Sequence, residues 1–283
     1  MPNAADFDVF LRSFGSIKFQ GLRDAQAFVL DRYNRVLDTS DVGVELPTGA
    51  GKTLIALLVA ELWRRDNRKV AILSANKTLA RQMVSEAVAL GVPAVLMEGA
   101  GRDIPGVDKR RYQRAQSIAV MNYWVYFNQN PVIDPADLLV MDDAHLAEHC
   151  LHSLYSVEID KHQHSALFDS LMTELGARYP EYGVIADALA PDTPSISSAE
   201  LLSFLDHVAV ADRIREIIDS SPALQSDTDL RFRWTRWRHR LNEANIYVSR
   251  RSLWIRPYIY RLWLAGGHTR SNYLDCTFCA NMA

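Results

Sequence analysis

The chain has 283 residues, 48% of them apolar, enough for one large domain or two of ordinary size around a proper core. Its 31 basic and 34 acidic side chains leave a net charge of −3, which excludes a uniformly basic nucleic-acid-coating protein but not local basic surfaces. No apolar run approaches the roughly 18 residues of a membrane span. Residues 1–6 lack the basic start and apolar core of a signal peptide, and three cysteines make no disulfide framework, so the chain reads as a soluble, cytoplasmic protein with no membrane partner.

Phe7, Val9, Phe10, Leu11 and Phe14 predict a short helix docked on the core. A second helix is expected from about Arg23 through Phe28, Val29, Leu30, Tyr33 and Leu37, broken by the polar run 38–41. Residues 42–46 then form a strand-like run that passes through Pro47-Thr48-Gly49-Ala50-Gly51-Lys52-Thr53 into an apolar helical run at 54–58. A small-residue loop between strand and helix turns backbone N–H groups inward, and the helix start adds positive potential, so together they hold a phosphate chain. Thr48, Gly49, Ala50 and Gly51 form the cradle, Lys52 reaches the terminal phosphates, and the Thr53 hydroxyl is a ligand for Mg²⁺. The strict form of the pattern has Gly or Ala where this chain has Leu46.

After a charged turn at 64–69, residues 70–73 predict a fully apolar strand of the kind buried in a parallel sheet, and 74–82 lead into another helix. Strands are expected at 92–97, 118–121 and 137–141, with a helical pattern at 108–115. The 118–121 strand ends at Asn122-Tyr123-Trp124; the last strand runs into Asp142-Asp143-Ala144-His145. Alternating strands and helices predict an α/β fold, a doubly wound parallel sheet whose ligands sit at the carboxyl ends of the strands. Both the loop and the acidic pair lie at such ends. Beside a bound nucleotide, Asp142 can hold a metal through its water shell and Asp143 can orient or deprotonate the attacking water. Lys52, Asp142 and Asp143 are the catalytic candidates; Thr53 and Asp142 are the metal candidates.

Beyond Cys150 the pattern changes. Leu167, Leu171 and Leu175, then Leu201, Leu202, Leu205 and Val208, then Val210, Ile214 and residues 217–218 predict helices without intervening strands, separated by Pro180, Pro191, Pro194 and Pro222. Residues 151–229 carry four basic and fourteen acidic side chains, whereas 230–270 carry ten basic and one acidic. The basic part opens with Arg231-Phe232-Arg233-Trp234-Thr235-Arg236-Trp237-Arg238-His239-Arg240. Two readings stand. Arginines among aromatics grip phosphates and stack on bases, with Arg233 and Arg236 as nucleic-acid candidates. Alternatively, a helix buries Trp234 and Trp237 on one face, turns Phe232 away, and pairs its arginines with the acidic segment before it. Residues 245–249 and 253–255 read as two short strands around Arg250-Arg251, in the arrangement of a hairpin. Cys276 and Cys279 form a Cys-x-x-Cys pair, but a zinc site would need His donors as well.

Over residues 15–150 these motifs resemble, in order and spacing, the first motor domain of superfamily 2 DEAD/DEAH-box helicases and translocases. Residues 43–53 resemble helicase motif I, which tolerates Leu46, and 141–145 resemble the DEAH box. The resemblance implies a RecA-like fold, ATP with Mg²⁺, and an adenine-reading role for Gln26 in Arg23-x-x-Gln26. It implies backbone contacts to nucleic acid, DNA more than RNA, from Lys77 and Thr78 in 74–82 and from Asn122 and Tyr123 in 118–123. The family has Glu where this chain has Asp143. One methylene less sets the carboxylate back by roughly 1 Å, a displacement that can cost on the order of 100-fold in rate, so ATP binding is the firmer expectation than fast hydrolysis.

The layout after the acidic box resembles the XPD/DinG-like branch, in which a helical insertion precedes the return to the sheet. That branch often has an iron–sulfur cluster between motif I and the DEAH box; no cysteine lies between Thr53 and Asp142 here, so none is expected there. Tyr273-Leu274-Asp275-Cys276-Thr277 stands where the family has Ser-Ala-Thr, and only Thr277 fits. The expected domains are a RecA-like ATP-binding domain at 1–149, a mainly helical insertion at 150–244, and a return to the sheet at 245–283. A second RecA-like domain is not found in the sequence, so a second polypeptide supplying it is an expected partner, and the chain alone is not expected to unwind a duplex. The leading functional expectation is the ATP-binding motor half of a DNA helicase or translocase. The alternative is a nucleotide-gated nucleic-acid-binding or regulatory module with little turnover. A P-loop ATPase or kinase unrelated to nucleic acid is disfavoured by the ordered motifs.

Overall fold

The computed structural model describes residues 2–128, 133–190, 199–257 and 270–275. Its strands are β1 (Asp41–Glu45), β2 (Val70–Ser74), β3 (Ala94–Leu96), β4 (Ile118–Asn122), β5 (Leu138–Asp142), β6 (Val157–Asp160), β7 (Glu200–Leu201), β8 (Ala244–Val248), β9 (Ser252–Pro257) and β10 (Arg270–Asp275). They belong to two units, Met1–Leu154 with Leu264–Ala283, and Tyr155–Trp263.

The first unit holds a six-stranded, all-parallel sheet in the order β1-β10-β5-β2-β4-β3. β2 and β4 are buried at every position, as their continuous apolar runs require in a sheet covered on both faces. β1, at the edge, alternates exposed and half-buried residues. The chain crosses from β1 over β10 and β5 to reach β2, so the carboxyl ends of β1 and β5 flank one strand. Val44 and Asp142 both pair with Leu274, which sets them at the same level of the sheet. The crevice of a doubly wound sheet opens at such a crossover.

The helix that follows β1, Lys52–Arg65, is buried from Leu54 through Trp63, because it packs on β2, β4 and β5 and is itself covered by the helices Asp24–Asn34 and Lys77–Leu90. Burial includes one charge. Glu61 is 1% exposed and accepts from Arg64 Nε and Nη2 at 2.6 and 2.7 Å and from Arg65 Nε at 2.8 Å, which satisfies a carboxylate that burial alone would penalise. Trp63 donates its indole N–H to Tyr33 Oη at 2.8 Å, fixing this helix to its neighbour.

The second unit is mostly helical, with helices at Ser165–Arg178, Gly183–Leu189, Phe204–Asp219, Ala223–Ser226 and Thr228–Trp237. It also contains an antiparallel sheet, β6-β9-β8-β7, where the sequence predicts helices alone up to residue 244. β8 and β9 do form a hairpin, but it pairs with β6 and β7 instead of re-entering the parallel sheet; the return is made by β10. The reason is legible in the alternation. Ala244, Ile246 and Val248 are buried while Asn245 and Tyr247 are half-exposed, the one-sided pattern of an antiparallel sheet. Pro191, Pro194, Cys276, Thr277 and Cys279 lie outside the described residues.

Candidate nucleotide site

Leu46, the departure from the strict loop pattern, is 6% exposed and belongs to the core, so its side chain anchors the end of β1 away from the loop's inner surface. The loop then turns back, with Ala50 N–H donating to Pro47 O at 3.1 Å. Gly49 and Gly51 have φ of 82° and 86°, a left-handed conformation that a side chain would strain. A Cβ at Gly51 would also stand 2.2 Å from Gln26 Nε2. The chain enters the helix at Lys52, where the first backbone N–H groups and the helix dipole favour an anion. Thr53 follows in the first turn, half-buried.

From the opposite side, β5 ends at Asp142, whose backbone carbonyl accepts from Tyr123 Oη at 2.9 Å. Asp143 has φ of 52°, a left-handed conformation that Asp tolerates better than most residues. This turn brings its Oδ1 to 3.4 Å from Lys52 Nζ, with both side chains largely sheltered, 30% and 14% exposed. Burial pushes the Asp142 carboxyl up to about 6; the Asp143 charge adds to the rise and Lys52 opposes it. The two acids and one lysine therefore leave the site short of positive charge, as suits residues that would hold a divalent cation through one or two carboxylates. Lys52, Thr53, Gly49, Gly51, Asp142 and Asp143 thus converge at the carboxyl end of one sheet.

Three other groups of expected site residues lie differently. Gln26, expected to read adenine, is 3% exposed and its amide is engaged with protein at both ends: Oε1 accepts from Arg23 N at 3.0 Å, and Nε2 donates to Ala50 O and Gly51 O. The positive-φ loop turns those carbonyls outward, and Gln26 is the donor they meet.

Tyr123 and Asn122 are interior groups whose side chains face the protein. Tyr123 is fully buried against the sheet, and Asn122, 8% exposed, caps the short helix Tyr123–Tyr126 by accepting from Val125 N at 3.0 Å. The helix begins so tightly after β4 that its first residue folds inward; Trp124, 37% exposed, is the side chain that reaches solvent. Its identity in the sequence gave no signal, because only the helix phase decides which residue turns out. Lys77 and Thr78 are exposed at the start of Lys77–Leu90, which Asn76 caps by accepting from Leu79 N at 2.9 Å, and Lys77 Nζ stands 3.8 Å from Glu98.

In the second unit, the arginine–aromatic stretch forms the helix Thr228–Trp237 and follows the inward-facing alternative. Trp234 and Trp237 are each 2% exposed, donating to Asp219 Oδ1 at 2.8 Å and to Tyr155 O at 2.6 Å, while Phe232 is 47% exposed. Arg233 Nε donates to Asp229 Oδ2 at 2.9 Å, Arg238 Nε to Asp219 Oδ2 at 2.9 Å, and Arg236 lies 4.2 Å over the Tyr155 ring. Arg233 thus pairs with a carboxylate at the end of the acidic segment, whereas Arg236 packs on an aromatic ring.

Residues 26–154 match the family model for the DEAD/DEAH box helicase. No curated protein sequence matches the chain. Among solved structures, it is similar to S. tokodaii Xpd4, with 16% identity and a TM-score of 0.52 over 92% of this chain and 59% of that one. It is also similar to an XPD helicase, with 14% identity and a TM-score of 0.52 over 91% of this chain and 58% of that one. The chain thus spans less than two-thirds of the length of these structures, and at such identity the likeness is one of fold. Residues 26–154 are therefore similar to a DEAD/DEAH box helicase domain, within a chain that shares the fold of the XPD helicases.

Proposed function

We propose that the first unit is the ATP-binding motor half of a helicase or translocase acting on nucleic acid, DNA before RNA. The observation that supports it most is the meeting of Lys52 and Asp143 at 3.4 Å, as expected if the phosphate-binding loop and the acidic pair serve one nucleotide. Lys52 and the loop N–H groups hold the phosphates; Thr53 and Asp142 are the residues that would hold Mg²⁺. The metal, when bound, neutralises charge on the phosphate oxygens. Asp143 orients the attacking water and accepts its proton, after leaving its contact with Lys52. A second RecA-like domain, on this or another polypeptide, completes the site, and the unit Tyr155–Trp263 is the insertion.

The second reading is a nucleotide-gated module with little turnover. The short Asp143 carboxylate and its contact with Lys52 favour it, since both withhold the base from water. ATP turnover by the purified chain, with and without single-stranded DNA and beside Lys52→Ala, separates the two. DNA-stimulated turnover lost in the variant supports the motor; saturable ATP binding without turnover supports the module; no ATP binding sinks both.

A further inference from the structure

On the side facing the helix Asp24–Asn34, three consecutive carbonyls of the phosphate loop are held by two side chains. Arg23 Nη1 donates to Gly49 O at 3.1 Å, and Gln26 Nε2 donates to Ala50 O at 3.1 Å and Gly51 O at 3.3 Å. The orientation of the Gln26 amide follows from its partners. Its oxygen accepts from Arg23 N at 3.0 Å, and a flipped amide would set that oxygen against two carbonyls. In a planar trans peptide the N–H points opposite to the C=O of the same unit. Drawing the Ala50 carbonyl toward Gln26 therefore turns the Gly51 N–H to the other side of the loop, the orientation an anion cradle requires, while Gly51 O, which also accepts from Leu54 N at 3.1 Å, has its direction set jointly by Gln26 and the helix start. The absence of a side chain at Gly51 is what lets Gln26 come this close.

We infer that Arg23 and Gln26 are positioning residues that shape the loop for phosphate, and that this chain does not select adenine through Gln26. The inference rests on the reading of this loop as a nucleotide site. Affinity gained through the pair then belongs to the phosphate chain, whatever base is attached to it. Both N–H donors of this buried amide are engaged by the loop, so pairing with a purine through its donor and acceptor together would require the loop to let go of it.

The test compares dissociation constants for ATP, GTP and inorganic tripolyphosphate, each with Mg²⁺, for the wild-type chain, Gln26→Ala, Gln26→Glu and Arg23→Ala, with a thermal melt of each. Gln26→Ala is expected to weaken all three ligands by one common factor, about tenfold for the loss of one or two hydrogen bonds. Arg23→Ala, in which an exposed side chain is removed and the melting temperature is expected to hold, should weaken all three by a smaller common factor. Gln26→Glu keeps the acceptor for Arg23 N but sets a carboxylate against the two carbonyls, and should weaken all three at least as much as alanine does. Loss of ATP alone, with GTP and tripolyphosphate binding as before, would make Gln26 an adenine reader and overturn the inference. So would unchanged affinity for every ligand in both Gln26 variants. If the wild-type chain binds none of the three, the nucleotide reading itself fails, an outcome distinct from the other two.

Discussion

Lys52 Nζ stands 3.4 Å from Asp143 Oδ1, across 91 positions of sequence. The residue that would hold terminal phosphates and the residue that would activate water thus neutralise each other. A phosphate chain must draw Lys52 away from that carboxylate before Asp143 is available to a water.

Removing the charge should therefore separate binding from chemistry. Asp143→Asn is expected to bind ATP more tightly than wild type, since Lys52 loses a competing anion, while turnover falls. Asp143→Glu is expected to gain turnover by restoring the longer reach, at a cost of roughly 1 kcal/mol in stability because Glu lacks Asp's tolerance of left-handed backbone. Equilibrium ATP titration beside steady-state turnover reads both. Weaker ATP binding by Asp143→Asn would contradict the competition.

Gly51→Ala meets two obstacles, a φ of 86° and a Cβ 2.2 Å from Gln26 Nε2. The backbone alone is expected to cost about 1–2 kcal/mol, and displacement of Gln26 should further weaken nucleotide binding. A melt with a parallel ATP titration checks it; unchanged affinity would show that the Gln26 contact does not shape the loop.

The helix Thr228–Trp237 has an inner and an outer face. Trp237→Ala removes a side chain that is 2% exposed together with its bond to Tyr155 O, and should cost about 3–5 kcal/mol. Phe232→Ala, on the exposed face, should fall within about 0.5 kcal/mol of wild type. Chemical denaturation of both variants decides the matter; equal losses would contradict the assigned faces.

Acid should weaken the second unit through His207, which is 1% exposed with Nε2 donating to Leu241 O at 3.1 Å. Burial, partly offset by that backbone bond, holds the imidazole below its ordinary value of 6.5. The unfolded chain therefore takes up a proton that the folded one resists, so this contribution is complete above about pH 6.5 and is lost as pH falls below it. Melting temperatures at about pH 7.5 and about pH 5.5 should differ less in His207→Leu than in wild type. An equal difference would assign the acid sensitivity elsewhere.

How far the sequence carries depends on the range of the interaction that decides each feature. The runs at β2, β4 and β5 are buried on both faces, so local hydrophobicity alone marks them as parallel strands. The loop glycines are legible because left-handed backbone and close approach both demand them. Tyr123 was not, because its inward turn depends on where a one-turn helix starts after β4. Gln26 was not, because its partners are carbonyls with no signature in the side-chain sequence. The pairing of β6 with β9 joins Glu158 to Trp254, far apart in the chain, and a four-residue strand carries too little pattern to announce it.

The account stands on the loop and the acidic pair forming one Mg–nucleotide site. Its most direct test is an ATP titration with and without Mg²⁺ on the wild-type chain, Lys52→Ala and Asp142→Ala. The account predicts saturable binding that is strengthened by Mg²⁺, nearly lost in Lys52→Ala, and stripped of its Mg²⁺ dependence in Asp142→Ala. ATP binding indifferent to Mg²⁺ and unchanged in both variants would contradict it.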